Sequence, residues 1–231
     1  MKGHNLTSLA VLALCVPLAG CSANSTFLDT SDGLTPAPLP RVSVDTSGAQ
    51  WAPEPEHEFR NVQCDLSPAA SPAFPSQYGL TIPEAFTSNL ESRADLTFPE
   101  APDGMWWEQS APIGSSGFGP AITAGHVDYA PGALSPEGGE LSPWGNLHTI
   151  DECTHVFATD AQGVSSEYVI TSKYTVAQDD IASTGILDPA HPSNLILITC
   201  SGRTLEEVGA EHQFTYEYNL ILEATLIPTT A

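Results

Sequence analysis

Apolar residues in this chain fall into short runs broken by Gly, Pro, Asn and Asp, and the runs change character along its length. The first, residues 9–18, is continuous rather than alternating and follows Lys2; Ala19 and Gly20 close it. A positive start, an apolar stretch of this length and small residues after it have the layout of an export signal. The stretch is short of the roughly 20 residues that a membrane-spanning helix needs, and no later run reaches that length either. From Tyr78 onward the runs are β-like. Leu80-Thr81-Ile82 stops at Pro83, and Ala121-Ile122-Thr123-Ala124 leads into Gly125. Residues 154–158 and 167–170 flank Asp160-Ala161-Gln162-Gly163, which reads as a hairpin turn. Residues 195–199 and 218–224 are the richest in β-branched and long aliphatic side chains. Helical spacing is confined to residues 83–90 and 177–183. Short strands between turn residues predict a mainly β domain, a sandwich or a barrel.

Between the two regions lies a stretch rich in proline. It holds Thr35-Pro36-Ala37-Pro38-Leu39-Pro40, Ala52-Pro53-Glu54-Pro55-Glu56 and Ser67-Pro68-Ala69-Ala70-Ser71-Pro72. Such a segment buries too little apolar surface to offset the entropy of ordering it, and proline keeps it extended. The expected layout is therefore a signal over residues 1–20, a tether over 21–75 and a β domain over 76–231. Phe59, Val62 and Cys64 break the polar character of the tether, and the segment 59–64 is expected to dock on the domain.

Charge narrows the partners. The chain carries 28 acidic and 6 basic residues, a formal net charge of −22. Affinity for nucleic acid rests on Lys and Arg, so nucleic acid is excluded as a partner. Of the five cysteines, Cys15 lies inside the signal. Leu18-Ala19-Gly20-Cys21 resembles a bacterial lipobox, in which the cysteine is lipidated and becomes the new N-terminus. That resemblance implies an extracytoplasmic protein anchored by lipid to the outer face of the bacterial membrane. Three cysteines remain, Cys64, Cys153 and Cys200, and in an oxidising compartment an odd number leaves one unpaired.

Cys200 ends the apolar run 195–199 and is followed by Ser201-Gly202. Within a strand a lone cysteine is an inert small hydrophobe; at a strand's end, beside glycine, it is placed to react if a histidine activates it. His126 closes its own strand-like run, whereas His57, His148, His155, His191 and His212 sit in apparent loops or tether. Metal binding is the rival reading, but the Cys and His residues lack the close ligand pairs of zinc sites.

Leu197-Ile198-Thr199-Cys200 resembles the Leu-x-Thr-Cys with which sortases end a barrel strand. Ala124-Gly125-His126-Val127-Asp128 is similar to the family's Gly-His motif in its actinobacterial class E and F form. Leu80-Thr81-Ile82-Pro83 matches the first barrel strand, and Trp106-Trp107 falls where these enzymes carry an aromatic pair. The resemblance covers residues 76–231 and implies a closed eight-stranded β-barrel with short helices. It implies a transpeptidase with Cys200 as nucleophile and His126 as general acid and base, neither deeply buried. Its substrates would be Leu-Pro-x-Thr-Gly sorting signals of surface proteins, its acceptor an amine of the cell wall or a pilin, or water. No cofactor and no metal are implied. One position departs: the family's arginine before the last apolar run is Glu217 here, in Tyr216-Glu217-Tyr218-Asn219. Arg203 is the basic residue that follows Cys200 and is the candidate substitute; its alternative is a solvated loop residue. The departure also admits a degenerate relative that binds surface peptides without turnover. Cys64 and Cys153 are either buried thiols or, as export favours, a disulfide, which would leave Cys200 as the unpaired thiol.

Overall fold

A computed structural model describes residues 61–69, 78–117, 119–129, 141–206 and 214–228, with the backbone alone for 203–206 and 214–215. The expected signal, Cys21, His57, His212 and most of the tether lie outside the described residues. Eight strands form a closed barrel: β1 (Gly79–Ile82), β2 (Phe86–Arg93), β3 (Gly104–Trp107), β4 (Ala121–Gly125), β5 (His155–Thr159), β6 (Ser165–Ala177), β7 (Leu195–Glu206) and β8 (Phe214–Leu226). Their spatial order is β1-β2-β3-β4-β7-β8-β6-β5. All pairings are antiparallel except β2 with β3 and β4 with β7.

Period-two alternation divides the side chains. Leu80, Ile82, Phe86, Leu90, Val156, Tyr168, Leu195, Leu197, Leu220 and Leu222 fill the interior. Residues of opposite phase, Met105, Ile122, Ala124, Ile196, Ile198 and Ile221, form a second cluster on the outer face. There they are covered by Ile181 of a 3₁₀ helix (Gln178–Thr184) and by Ile186. That helix lies where residues 177–183 predict one, and it stops at Gly185, whose φ is 76°.

The other expected helix is absent. Ile82-Pro83-Glu84-Ala85 is a tight turn closed by the Ala85 N–H on the Ile82 carbonyl at 3.1 Å, with Glu84 at φ 65°. Proline followed by a positive φ is the geometry of a type II turn, which glycine ordinarily announces; a glutamate there hides it. The chain then alternates through β2, with Phe86, Ser88 and Leu90 buried and Thr87, Asn89 and Glu91 exposed. A second 3₁₀ helix (Pro143–Thr149) begins on the cap Ser142, whose hydroxyl accepts from the Trp144 N–H at 3.0 Å. Ser followed by Pro at a helix start is a readable cap signal.

A bulge at Thr171 shifts the phase of β6: Ile170 pairs with Ala224, yet Ser172 pairs with Glu223. The bulge turns Tyr174 to the outer cluster and frees the Thr171 carbonyl, which accepts from the Val62 N–H at 2.9 Å. Residues 61–69 are thereby strapped along β6. Cys64 and Cys153 are joined by a disulfide with Cα atoms 5.2 Å apart, and the Ala69 N–H donates to Glu167 at 2.7 Å. His155 is the first residue of β5 rather than a loop residue, and its Nδ1 meets Glu167 at 2.7 Å.

Candidate active site

β4 and β7 run side by side and parallel, with Ala121 level with Leu195, Ile122 with Ile196, Thr123 with Leu197 and Ala124 with Ile198. Each pair is separated by the same interval in sequence. His126 follows β4 directly, and continuing that register by two residues sets it level with Cys200. Strands in a sheet lie about 4.8 Å apart, so a ladder carried on by those two residues would set the pair side by side. Alternation gives them one face, since His126 follows Ile122 and Ala124 in phase while Cys200 follows Ile196 and Ile198. That is the outer face.

The motif residues around them have identifiable tasks. Thr199 points inward, and its hydroxyl donates to the Gly125 carbonyl at 2.9 Å, holding the two strands together where the ladder ends. Thr123 does the same one turn of the pleat earlier, donating to the Ile196 carbonyl at 2.9 Å. Gly125 has no room for a side chain: a Cβ there would lie 2.3 Å from the Trp144 ring. Trp144 is itself fixed by its Nε1–H on the Ser88 hydroxyl at 3.0 Å and by edge contact with Phe86. Gly125→Ala is therefore expected to destabilise the barrel by about 1–3 kcal/mol through overpacking, read as a lower urea midpoint with an unchanged m-value.

Past His126 the backbone is pinned as well. The Ser142 hydroxyl donates to the His126 carbonyl, and the Ser142 N–H to that of Val127. Asp128 bridges to Leu141 and accepts from the Tyr216 hydroxyl of β8. The His126 ring lies 5.4 Å from that of Phe98, tilted by 46°. Burial pushes its pKa below the usual value, and the negative charge of Glu100 opposes this only in part. A neutral imidazole at neutral pH can accept a thiol proton. The same depression links to stability: the contribution is present above the unfolded-state value near pH 6.5 and is lost as pH falls through the lower folded value. His148, depressed by its own burial, acts in the same direction. Urea midpoints are expected to fall between pH 7 and 5, and less steeply in His126→Gln.

On the other side of β7 stands β8. Cys200 pairs with Asn219 and Ser201 with Tyr218; a bulge follows, and pairing resumes at Thr204 with Tyr216. The bulge needs Gly202, whose φ is 82° and whose Cβ would lie 2.7 Å from the Tyr218 ring. Glu217 faces this bulge with its own Cβ 3.3 Å from that built Cβ. It shares the outer face with Asn219, so a carboxylate occupies the strand position two residues from the partner of Cys200. Arg203 lies in the bulge, and only its backbone is described.

Three features of Cys200 differ from expectation. It lies within β7, which runs on to Glu206, rather than at a strand's end. The residue is 1 % exposed rather than accessible. It is also disulfide-bonded rather than an unpaired thiol. Chemistry at this sulfur requires the reduced form.

A closed barrel with a cysteine inside β7 and a histidine directly after β4, its parallel neighbour, is a frame for thiol-based acyl transfer. The sortase-domain family model matches residues 81–227, and the chain belongs to the sortase family, whose members are generally cysteine transpeptidases. Among solved structures it is similar to sortase A from Corynebacterium diphtheriae in a lid mutant, at 18% identity and TM-score 0.49, covering 68% of this chain and 72% of that one. It is also similar to sortase C-1 from Actinomyces oris, at 14% identity and TM-score 0.47, over 66% and 74% of the two chains. A Clostridium perfringens sortase D5 transpeptidase matches at 14% identity and TM-score 0.46, over 66% and 79%. No curated protein matches in sequence.

Proposed function

We propose that the chain is a sortase of the class E/F-like kind that cleaves a Leu-Pro-x-Thr-Gly-type signal and passes the acyl group to an amine or to water. What carries this reading is the β4–β7 register that brings His126 level with Cys200. Reduced Cys200 gives its proton to neutral His126, and the thiolate attacks the threonine carbonyl carbon. The S–C bond forms, the Thr–Gly C–N bond breaks, and His126 returns the proton to the leaving amine. The incoming amine then gives its proton to His126 and displaces the sulfur. The oxyanion is assigned to Arg203, the basic residue that follows Cys200 in the sequence. Incubation with a Leu-Pro-x-Thr-Gly peptide and a free amine is expected to give Thr–Gly cleavage and the exchanged product only after the protein has been reduced. A reduced protein that leaves the peptide intact contradicts the reading.

A second reading, peptide binding without turnover, is favoured by Glu217 and by the buried, bonded state of Cys200. It is distinguished by saturable peptide binding with no cleaved product. We further propose that Cys21 is lipidated and holds the domain at the outer face of the membrane. Metabolic labelling with a fatty-acid analogue is expected to mark the wild type and not Cys21→Ser; equal labelling of both contradicts it.

A further inference from the structure

The outer face of the barrel carries a buried carboxylate that the chemistry above does not use. Glu223 is 3 % exposed on β8, level with Ile196 of β7 on one side and Ser172 of β6 on the other. An aliphatic side chain would suit the wall between Ile221 and its neighbours, and a carboxylate there persists only if it is well supplied with donors. It is. The Tyr174 hydroxyl donates to Oε1 at 2.7 Å and the Ser193 hydroxyl to Oε2 at 2.6 Å. His191 Nε2 lies 3.8 Å from Oε1. The Ser193 N–H donates to His191 Nδ1 at 3.3 Å, so the imidazole hydrogen sits on Nε2 and faces the carboxylate.

Tyr174 belongs to the barrel, whereas His191 and Ser193 belong to the connection from β6 to β7. The remaining ties of that connection are the ordinary ones of a turn running into a strand. The His191 N–H meets the Asp188 carbonyl at 2.9 Å, and Asn194 is tied three ways, its N–H to the Ala224 carbonyl, its carbonyl to the Ala121 N–H and its Oδ1 to the Leu226 N–H, each at 2.9 Å. The same connection carries Ile186 and the 3₁₀ helix with Ile181, which cover the outer row Ile196, Ile198 and Ile221. Cys200 continues that row. Glu223 and Asn219, the partner of Cys200, are four residues apart on β8, about 13 Å at the rise of a strand.

We propose that Glu223 is a positioning residue: its carboxylate clamps residues 186–194 to the barrel through Ser193 and His191 and so fixes the wall beside Cys200 before a peptide arrives. The inference rests on the proposed activity for its consequence, not for its geometry. Loss of the clamp leaves the reacting groups in place and frees the wall, so peptide capture suffers more than turnover.

The test is amide hydrogen exchange of the full chain together with steady-state cleavage of the sorting-signal peptide. Ser193→Ala and His191→Ala change only the connection. Ser193→Ala is expected to speed exchange at residues 186–194 by about tenfold or more, leaving β7 and β8 unchanged, and to raise KM about fivefold with kcat within twofold. Glu223→Gln, which still accepts from Tyr174 and offers its amide to Ser193, is expected to stay near wild type, while Glu223→Ala behaves as Ser193→Ala does. If Glu223→Ala does not fold, the two connection variants decide. Unchanged exchange at 186–194 in both overturns the proposal whatever the kinetics. Absence of peptide cleavage by the wild type defeats the activity reading alone, and the exchange result still decides the clamp.

Discussion

Replacing Cys200 with alanine is expected to lower cleavage of a sorting-signal peptide by at least about a thousandfold, because no other group can hold the acyl intermediate. His126→Ala is expected to cost about 10²–10⁴-fold, the usual worth of a positioned acid and base. The two losses should not multiply. Each variant removes the same proton-coupled attack, so the double variant should sit close to Cys200→Ala. Compared with the wild type in the reduced state, where Cys200 has no bridge to lose, Cys200→Ala is also expected to fold, since the site loses one small side chain from a wall already closed by Ile196, Ile198 and the 3₁₀ helix. Circular dichroism and a urea midpoint near the wild-type value separate lost chemistry from a lost fold. A Cys200→Ala protein that still cleaves between Thr and Gly would remove the thiol from the mechanism.

Glu217→Arg is expected to raise cleavage by about 10²–10³-fold, the effect of one preorganised oxyanion donor worth about 2.7–4 kcal/mol. The prediction follows from the register. Glu217 stands on the outer face two residues from Asn219, the partner of Cys200, and abuts Gly202. A carboxylate there opposes both the thiolate and the tetrahedral oxyanion; a guanidinium would favour both. The thiolate fraction offers a second readout, because the rate of alkylation of reduced Cys200 should rise in Glu217→Arg and its midpoint should move to lower pH. If instead Arg203→Ala abolishes wild-type cleavage and Glu217→Arg changes nothing, the bulge already supplies the cation.

The barrel was legible from residues that alternate. Leu80 and Ile82 face inside, Ala121 to Ala124 and Leu195 to Thr199 each place one apolar set inside and another against the outer cluster, and Pro83 and Gly125 close the first two runs. Residues 83–90 misled because apolar Ala85, Phe86 and Leu90 also fit a helical spacing, and Glu84 conceals the positive-φ turn that starts a strand instead. The pair His126 and Cys200 could be singled out because each closes a strand-like run beside glycine. Their being level could not, since parallel pairing of β4 with β7 is a tertiary fact that no local pattern encodes. The Glu223 clamp was invisible for a similar reason. Its donors come from two segments, and Tyr174 reaches the outer face only through the bulge at Thr171. Ser142-Pro143, by contrast, is a helix start that local sequence alone encodes, a capping hydroxyl followed by proline.

The central claim is that reduced Cys200 becomes acylated, and mass spectrometry of the trapped protein tests it most directly. The reduced full chain, mixed with a Leu-Pro-x-Thr-Gly peptide in the absence of amine and quenched in acid, is expected to gain the mass of the peptide through its threonine. Fragmentation should place the adduct on Cys200, hydroxylamine should remove it, and His126→Ala should form it far more slowly. An unmodified Cys200, or an adduct that forms equally well on Cys200→Ala, would contradict the account.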